Sequence, residues 1–140
     1  MAKSYFIVIV GCGRAGGTLA NNLSATGHRV VVIDRREIAF DKLSVEFSGF
    51  KIMGDASELN VLRQAKIQQA NYLFATTTTD NINLMVAQIA RIVFRVPNVV
   101  ARVYDPAREA LYREIGIATI SPTKLTASAF LEFIHHKEEL

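Results

Sequence analysis

The stretch that most constrains this chain is Gly11-Cys12-Gly13-Arg14-Ala15-Gly16. A G-x-G-x-x-G hexamer alone is weak evidence, but its setting is informative. Tyr5–Val10, just before it, is a continuous β-branched and aromatic run. Arg14–Thr26, overlapping its end, reads as a helix with Ala15, Leu19, Ala20 and Leu23 on one face and Gly27 as its stop. Strand, glycine turn and helix in that order predict a phosphate-binding corner. Gly11 permits the tight turn out of the strand. Gly13 lets backbone N–H groups approach a phosphate with no Cβ in the way, and Gly16 lets the helix pack close on the sheet. The exposed N–H groups and the positive helix end then hold an anion. Cys12 has no partner base near it in sequence, so it is read as a loop residue and not as a nucleophile. Arg14 either reaches a β- or γ-phosphate or is a solvated first-turn arginine.

The second strand, Arg29–Ile33, runs into Asp34, 18 residues beyond Gly16. That is close to the ~20 expected for an acid that accepts from both ribose hydroxyls. Such a carboxylate disfavours a 2′-phosphate. Arg35 and Arg36 pull the other way, since arginine can serve that phosphate; Arg35 is read instead as a planar cation over adenine. The structural alternative is a turn with no ligand and a helix cap at Asp34.

Strand and helix patterns alternate along the rest of the chain. Helices are predicted over Ile38–Phe47, Ser57–Ala65, Asp80–Val96, Pro106–Ile115 and Lys124–His136, and strands over Phe50–Met53, Tyr72–Ala75, Val99–Val103 and Ile117–Ile120. Val- and Ile-rich strands without alternation are covered on both faces. The expected fold is therefore α/β: a Rossmann-type, doubly wound, six-stranded, mainly parallel sheet with helices on both faces, plus a C-terminal helix. Residues 1–122 form the nucleotide-binding domain and 123–140 the C-terminal helix and tail. The 140 residues are 50% hydrophobic and 21% charged, which excludes disorder and gives one domain. They leave no room for a separate substrate domain. The net charge of +3 has no long like-charge run, so no nucleic-acid partner is expected. One cysteine excludes an internal disulfide and fits a reducing cytosol. Tyr5–Val10 is too short for a secretory h-region, and no run approaches a membrane span.

Three more loops fall at the carboxyl edge of the sheet, where ligands bind in such folds. Asp55, with Ala56 beside it, either receives an adenine amine or caps the next helix. Thr76, Thr77 and Asp80 belong to a loop that lines a ribose-phosphate, or Thr79 or Asp80 simply caps the helix that follows. Arg102, set in an apolar strand, needs an anionic partner or an exit to solvent. Asn83–Phe94 is apolar almost all round, which suggests a subunit interface. Leu125, Ala129, Phe130, Phe133 and Ile134 give the last helix a smaller apolar face. His135 and His136 point apart on a helix, so no metal site is expected.

The segments Ile-Val-Ile-Val-Gly-Cys-Gly-Arg-Ala-Gly, Val-Val-Val-Ile-Asp-Arg, Gly-Asp-Ala-Ser, Ala-Thr-Thr-Thr-Thr-Asp-Asn-Ile-Asn-Leu and Ala-Arg-Val-Tyr-Asp-Pro occur in that order. Together they resemble the N-terminal (TrkA-N, KTN or RCK) domain of the regulatory subunits of Trk and Ktr potassium-uptake systems, in its short single-domain form. The match runs from about Phe6 to Ser121. The resemblance implies a protein that is not an enzyme. It implies an adenine nucleotide as ligand (ATP, ADP, AMP or NAD(H)) and a homo-oligomer, a dimer or ring of dimers. It further implies an integral-membrane potassium channel or transporter as partner, met at the cytoplasmic face without direct membrane insertion. It assigns Gly11, Gly13 and Gly16 to the phosphate loop, Arg14 to terminal phosphates, and Asp34 and Arg35 to ribose and adenine. Asp55 and Ala56 fall on the adenine side, Thr76, Thr77 and Asp80 near ribose and phosphates, and Arg102 toward the nucleotide or the next subunit. Two departures stand out. The second, C-terminal ligand-binding domain common in the family is expected to be absent. Thr123 follows Pro122 where some members have a cation-binding glutamate, so no cation site is carried over. The competing readings are an NAD-dependent oxidoreductase and a stand-alone NADH/NAD+ sensor. The first needs a proton-transfer group near the nicotinamide, and the histidines are only His28, His135 and His136.

Overall fold

The computed structural model describes residues 3–139, with side chains described through His136. The outermost residues of the two expected divisions, 1–2 and 140, lie outside the described residues. Six strands form one sheet: β1 (Phe6–Val10), β2 (Arg29–Asp34), β3 (Phe50–Met53), β4 (Tyr72–Ala75), β5 (Asn98–Arg102) and β6 (Ala118–Ile120). Their order is β3-β2-β1-β4-β5-β6, and every pairing is parallel. The chain winds outward from β1 to β3, then crosses back to β4 on the other side of β1. The connections leaving β1 and β4 therefore diverge, and a crevice opens between them at the carboxyl edge.

Strand alternation divides the core between the two faces. Phe6, Val8 and Val10 point to one side and pack with α2 (Leu59–Gln64), α3 (Asp80–Gln88) and α4 (Glu109–Glu114) through Leu62, Val86, Ala87 and Tyr112. Ile7 and Ile9 point to the other side, where Ala20 of α1 (Arg14–Ala25) and Ala39 cover them. Each fully buried Val or Ile contributes about 1.5–3 kcal/mol, so β1, buried at all five positions, anchors the fold.

Four helices depart from the sequence expectation, α2 by beginning at Leu59, two residues later than Ser57. In place of a helix over Ile38–Phe47 there is a 3-10 helix, Glu37–Lys42. The side chain of Asn21 on α1 ends it: Nδ2 donates to Lys42 O (3.2 Å), while Oδ1 accepts from Ser44 N–H (2.9 Å). The helix that was to reach Val96 widens into a π turn over Ile89–Val93. It stops where Arg95 turns left-handed (φ 56°) and Val96 N–H reaches back to Ala90 O. The last helix, α5, begins at Pro122. Ser121 Oγ accepts from Lys124 N–H (3.2 Å), and proline follows at the first helical position, where its missing N–H costs nothing. Every described side chain of α5 from Thr123 to His136 is exposed. No described helix is long and apolar enough to cross a membrane.

Candidate functional site

Gly11 leaves β1 at φ 105°, a conformation open to glycine, and its N–H donates to Ile33 O (2.8 Å). Gly16, one turn into α1, lies so close to this corner that a Cβ would sit 1.9 Å from Gly11 O. Gly13 is different. A Cβ there would meet nothing within 4 Å. The fold does not need that glycine; the space it leaves faces the crevice. Gly13 is also the N-cap of α1, with no side-chain cap and no acidic residue in the first turn. The leading N–H groups of α1 have no intrahelical acceptors, and together with the positive helix end they form a preset anion cradle.

Asp34, at the end of β2, is fixed across this corner. Its Oδ2 accepts from Cys12 N–H (2.8 Å) and its Oδ1 from Arg36 N–H (2.9 Å). Each oxygen keeps further acceptor capacity, so the carboxylate is held in place and still able to receive hydroxyl donors. The Cys12 side chain is buried in the α1-side core. Burial, with Asp34 nearby, pushes its thiol above the ordinary range, which leaves it unreactive.

The crevice encloses about 930 Å3. Of the residues singled out in the sequence, Gly11, Gly13, Arg14 and Ala15 line it from the loop, and Asp34, Arg35, Asp55 and Ala56 from beyond β2 and β3. Thr76, Thr77 and Arg102 line it from beyond β4 and β5. Cys12, Gly16 and Asp80 do not. Asp80 acts as a strut instead: its carboxylate accepts from Tyr104 N–H (2.8 Å) and Asp105 N–H (3.0 Å). Neither it nor Thr79 caps α3 through its side chain. Asp55 does not cap α2, whose N-cap is Glu58; its carboxylate folds a turn before the helix instead, accepting from Ser57 N–H (2.9 Å) and Ser57 Oγ–H (2.7 Å). Those bonds hold its carboxyl below the ordinary range, with Arg35 adding to the effect.

Arg102 is satisfied in part by a route the sequence does not suggest. Its Nη2 donates to Thr76 O and Thr77 O, and its guanidinium lies over the Tyr104 ring, 5.1 Å from the centroid. Its Nε is buried without an acceptor among the described residues. The loop after β4 is organised by Asn83, which is fully buried. Its Oδ1 accepts from Thr77 N–H (3.0 Å) and Thr77 Oγ–H (2.6 Å), and its Nδ2 donates to Thr77 O (3.0 Å) and Arg102 O (2.9 Å).

Asn83, Lys42 and Tyr104 are site residues that sequence reasoning missed. Lys42 enters from the 3-10 helix that was expected to run on as an α-helix. With Arg14, Arg35, Arg36 and Arg102 it brings the cations lining the crevice to five, against the carboxylates of Asp34 and Asp55. None of the five is in an ion pair among the described residues. No group of three His, Cys, Asp or Glu placed to hold a metal occurs among them. The arrangement suits a polyanion joined to a hydroxyl-bearing sugar.

Known proteins resemble this chain over most of its length. The TrkA-N domain model matches residues 7–122. The Trk system potassium uptake protein TrkA of Streptomyces coelicolor is 42% identical over 125 residues, covering 89% of this chain and 56% of that protein. The chain thus spans little more than half of that relative's length. Among solved structures, the TrkA-N domain of the inner membrane protein ybaL from Escherichia coli has a TM-score of 0.83 at 22% identity, covering 95% of this chain and 98% of that one. GsuK has been solved bound to ADP and, as a channel, bound to NAD. These structures align with TM-scores of 0.73 and 0.70 at 20% identity, covering 88% and 86% of this chain and 32% and 22% of theirs. Loop, acid and strand order thus meet in one chain whose match extends from β1 to the first residue of α5: it belongs to the TrkA-N domain family.

Proposed function

We propose that this chain is the nucleotide-sensing part of a regulatory subunit of a Trk-type potassium-uptake system, and that it is not an enzyme. One observation carries the reading: the open space at Gly13, faced by uncapped α1 amides and ringed by unpaired cations. An adenine nucleotide, ADP or ATP or NAD(H), fills that space. Its phosphates sit on the Gly11–Gly16 loop and the α1 N-terminus, with Arg14 and Lys42 on the outer oxygens. Its ribose hydroxyls donate to Asp34, and its adenine lies under Arg35 beside Asp55 and Ala56. Thr76 and Thr77 close the phosphate side.

Regulation follows from differential affinity. A nucleotide that binds two arrangements of subunits unequally shifts the balance between them. The subunits have surfaces on which to meet. Met85, Ile92 and Val93 are 49%, 62% and 55% exposed on α3 and its π turn, and Phe130 and Phe133 are 71% and 75% exposed on α5. Homo-oligomers built on these faces act from the cytoplasm on a membrane potassium transporter. The oxidoreductase reading lacks support: none of the three histidines lines the crevice.

Calorimetry with ADP and NAD+ tests the proposal. Gly13→Ala puts a methyl group into the cradle without a clash, so the variant keeps its stability, or gains about 0.4–1 kcal/mol from the less flexible unfolded chain. Its affinity for both ligands falls at least about tenfold, or 1.4 kcal/mol. Asp34→Ala weakens both as well. Unchanged affinity in Gly13→Ala overturns the site.

A further inference from the structure

A second cavity, of about 690 Å3, opens at the opposite edge of the sheet, where β1, β2 and β3 begin and α1 and α2 end. Its charge is one-sided. Arg29, Lys51 and Lys66 line it, and no Asp or Glu does. None of the three is in an ion pair among the described residues. Basic residues at this edge have an ordinary explanation, because α1 and α2 turn their negative ends toward it. Magnitude shows that this is not enough: each helix end amounts to about half a charge, and less for a helix as short as α2. Arg29 and Lys66, two full cations on the α2 side, exceed that.

The donors are also set in place. The Arg29 guanidinium lies over the Phe6 ring, 5.3 Å from its centroid, and finds no acceptor among the described residues. His28 Nδ1 accepts from Tyr5 N–H (3.0 Å), and the His28 ring stacks on Tyr5. Lys66 holds φ 58°, a left-handed conformation that costs a residue with a side chain about 1–2 kcal/mol. Phe50, also lining the cavity, is 74% exposed.

We propose that this cavity is a second binding site, for a small oxyanion carrying a flat apolar body. Arg29 over Phe6, Phe50 beside Val31 and Lys66 just past α2 lie on the α2 side of the sheet, whereas Lys51 alternates to the other side. The phosphate or carboxylate group sits between Arg29 and Lys66, and the apolar body lies on Phe50. The site is independent of what the carboxyl-edge crevice binds.

The test is an amide NMR titration of the full chain with phenyl phosphate, with benzoate and with neutral benzyl alcohol. The amides of Arg29, Val30, Lys51, Ile52 and Lys66 are expected to shift saturably with at least one of the two anions. A preference for phenyl phosphate identifies the group as phosphate, and the reverse as carboxylate. Lys66→Asn keeps a residue that tolerates the left-handed turn, and Arg29→Gln and Lys51→Gln change exposed positions. Lys66→Asn and Arg29→Gln should each weaken binding about tenfold, the loss of one charge-assisted hydrogen bond, while Lys51→Gln, on the other face, should leave it unchanged. Shifts confined to the glycine loop overturn the proposal. So do equal shifts with benzyl alcohol, or a titration that neither Lys66→Asn nor Arg29→Gln alters.

Discussion

The carboxyl-edge crevice and helix α5 are incomplete in opposite senses. In the crevice the chain's own polar groups are largely paired: Asp34 with two amides, Thr77 with Asn83, Arg102 with two carbonyls. What it leaves open is a set of N–H groups and cations without an anion. α5 has the reverse deficiency. Its apolar side chains, Phe130 and Phe133 foremost, have no cover among the described residues. An unmet polar requirement points to a small charged ligand, and an unmet apolar one to a protein surface. The proposed sensing role needs both kinds of opening, one to receive a signal and one to pass it on.

The sharpest way to break the comparison is at Gly16. Gly16→Ala would place a Cβ 1.9 Å from Gly11 O and 2.7 Å from Thr76 Oγ1. Backbone must move, so urea melts should show a loss of about 3 kcal/mol or more. An unchanged midpoint would mean that the corner is looser than its geometry. A smaller effect on the fold is expected at the other region. Replacing both Phe130 and Phe133 with Glu should convert an oligomer to a monomer by light scattering at micromolar concentration, with an unchanged far-ultraviolet spectrum. A wild-type protein that is already monomeric would remove that half of the contrast.

The smallest effect lies at the joint between α5 and the rest. Glu109 Oε1 meets Lys124 Nζ at 2.9 Å, and this contact, ahead of Thr119 and Arg113, holds the Glu109 carboxyl below its ordinary value of 4.5. A depressed folded-state pKa adds stability above the ordinary value and loses it as pH falls through the folded one. The Tm advantage of wild type over Glu109→Gln should therefore be present at neutral pH and shrink on acidification below 4.5. It should be modest, since Lys124 is 60% exposed. An advantage that grows in acid would refute the assignment.

What was legible in the sequence was local. The corner at Gly11 and Gly16 can be read because turn, cradle and close packing are all set within six residues. Asp34 can be read because strand length fixes its distance from the loop. The end of the 3-10 helix at Lys42 could not be, since it is imposed by Asn21, a side chain from another helix. Lys42 was lost with it. Asn83 sat within an apolar helical pattern, and its role depends on β5 lying beside β4, which only the folded sheet supplies. The start of α5 was present as Ser121-Pro122, a cap followed by a first-turn proline, and was placed two residues late.

Asn83 ties both sides of this half of the crevice to one amide. A molecule that presses on Thr77 must carry the end of β5 and the opening of α3 with it, because the same side chain grips all three. The far wall of the crevice therefore responds as a single jaw. Its brace is that one buried amide, so no part of the wall is free to yield alone.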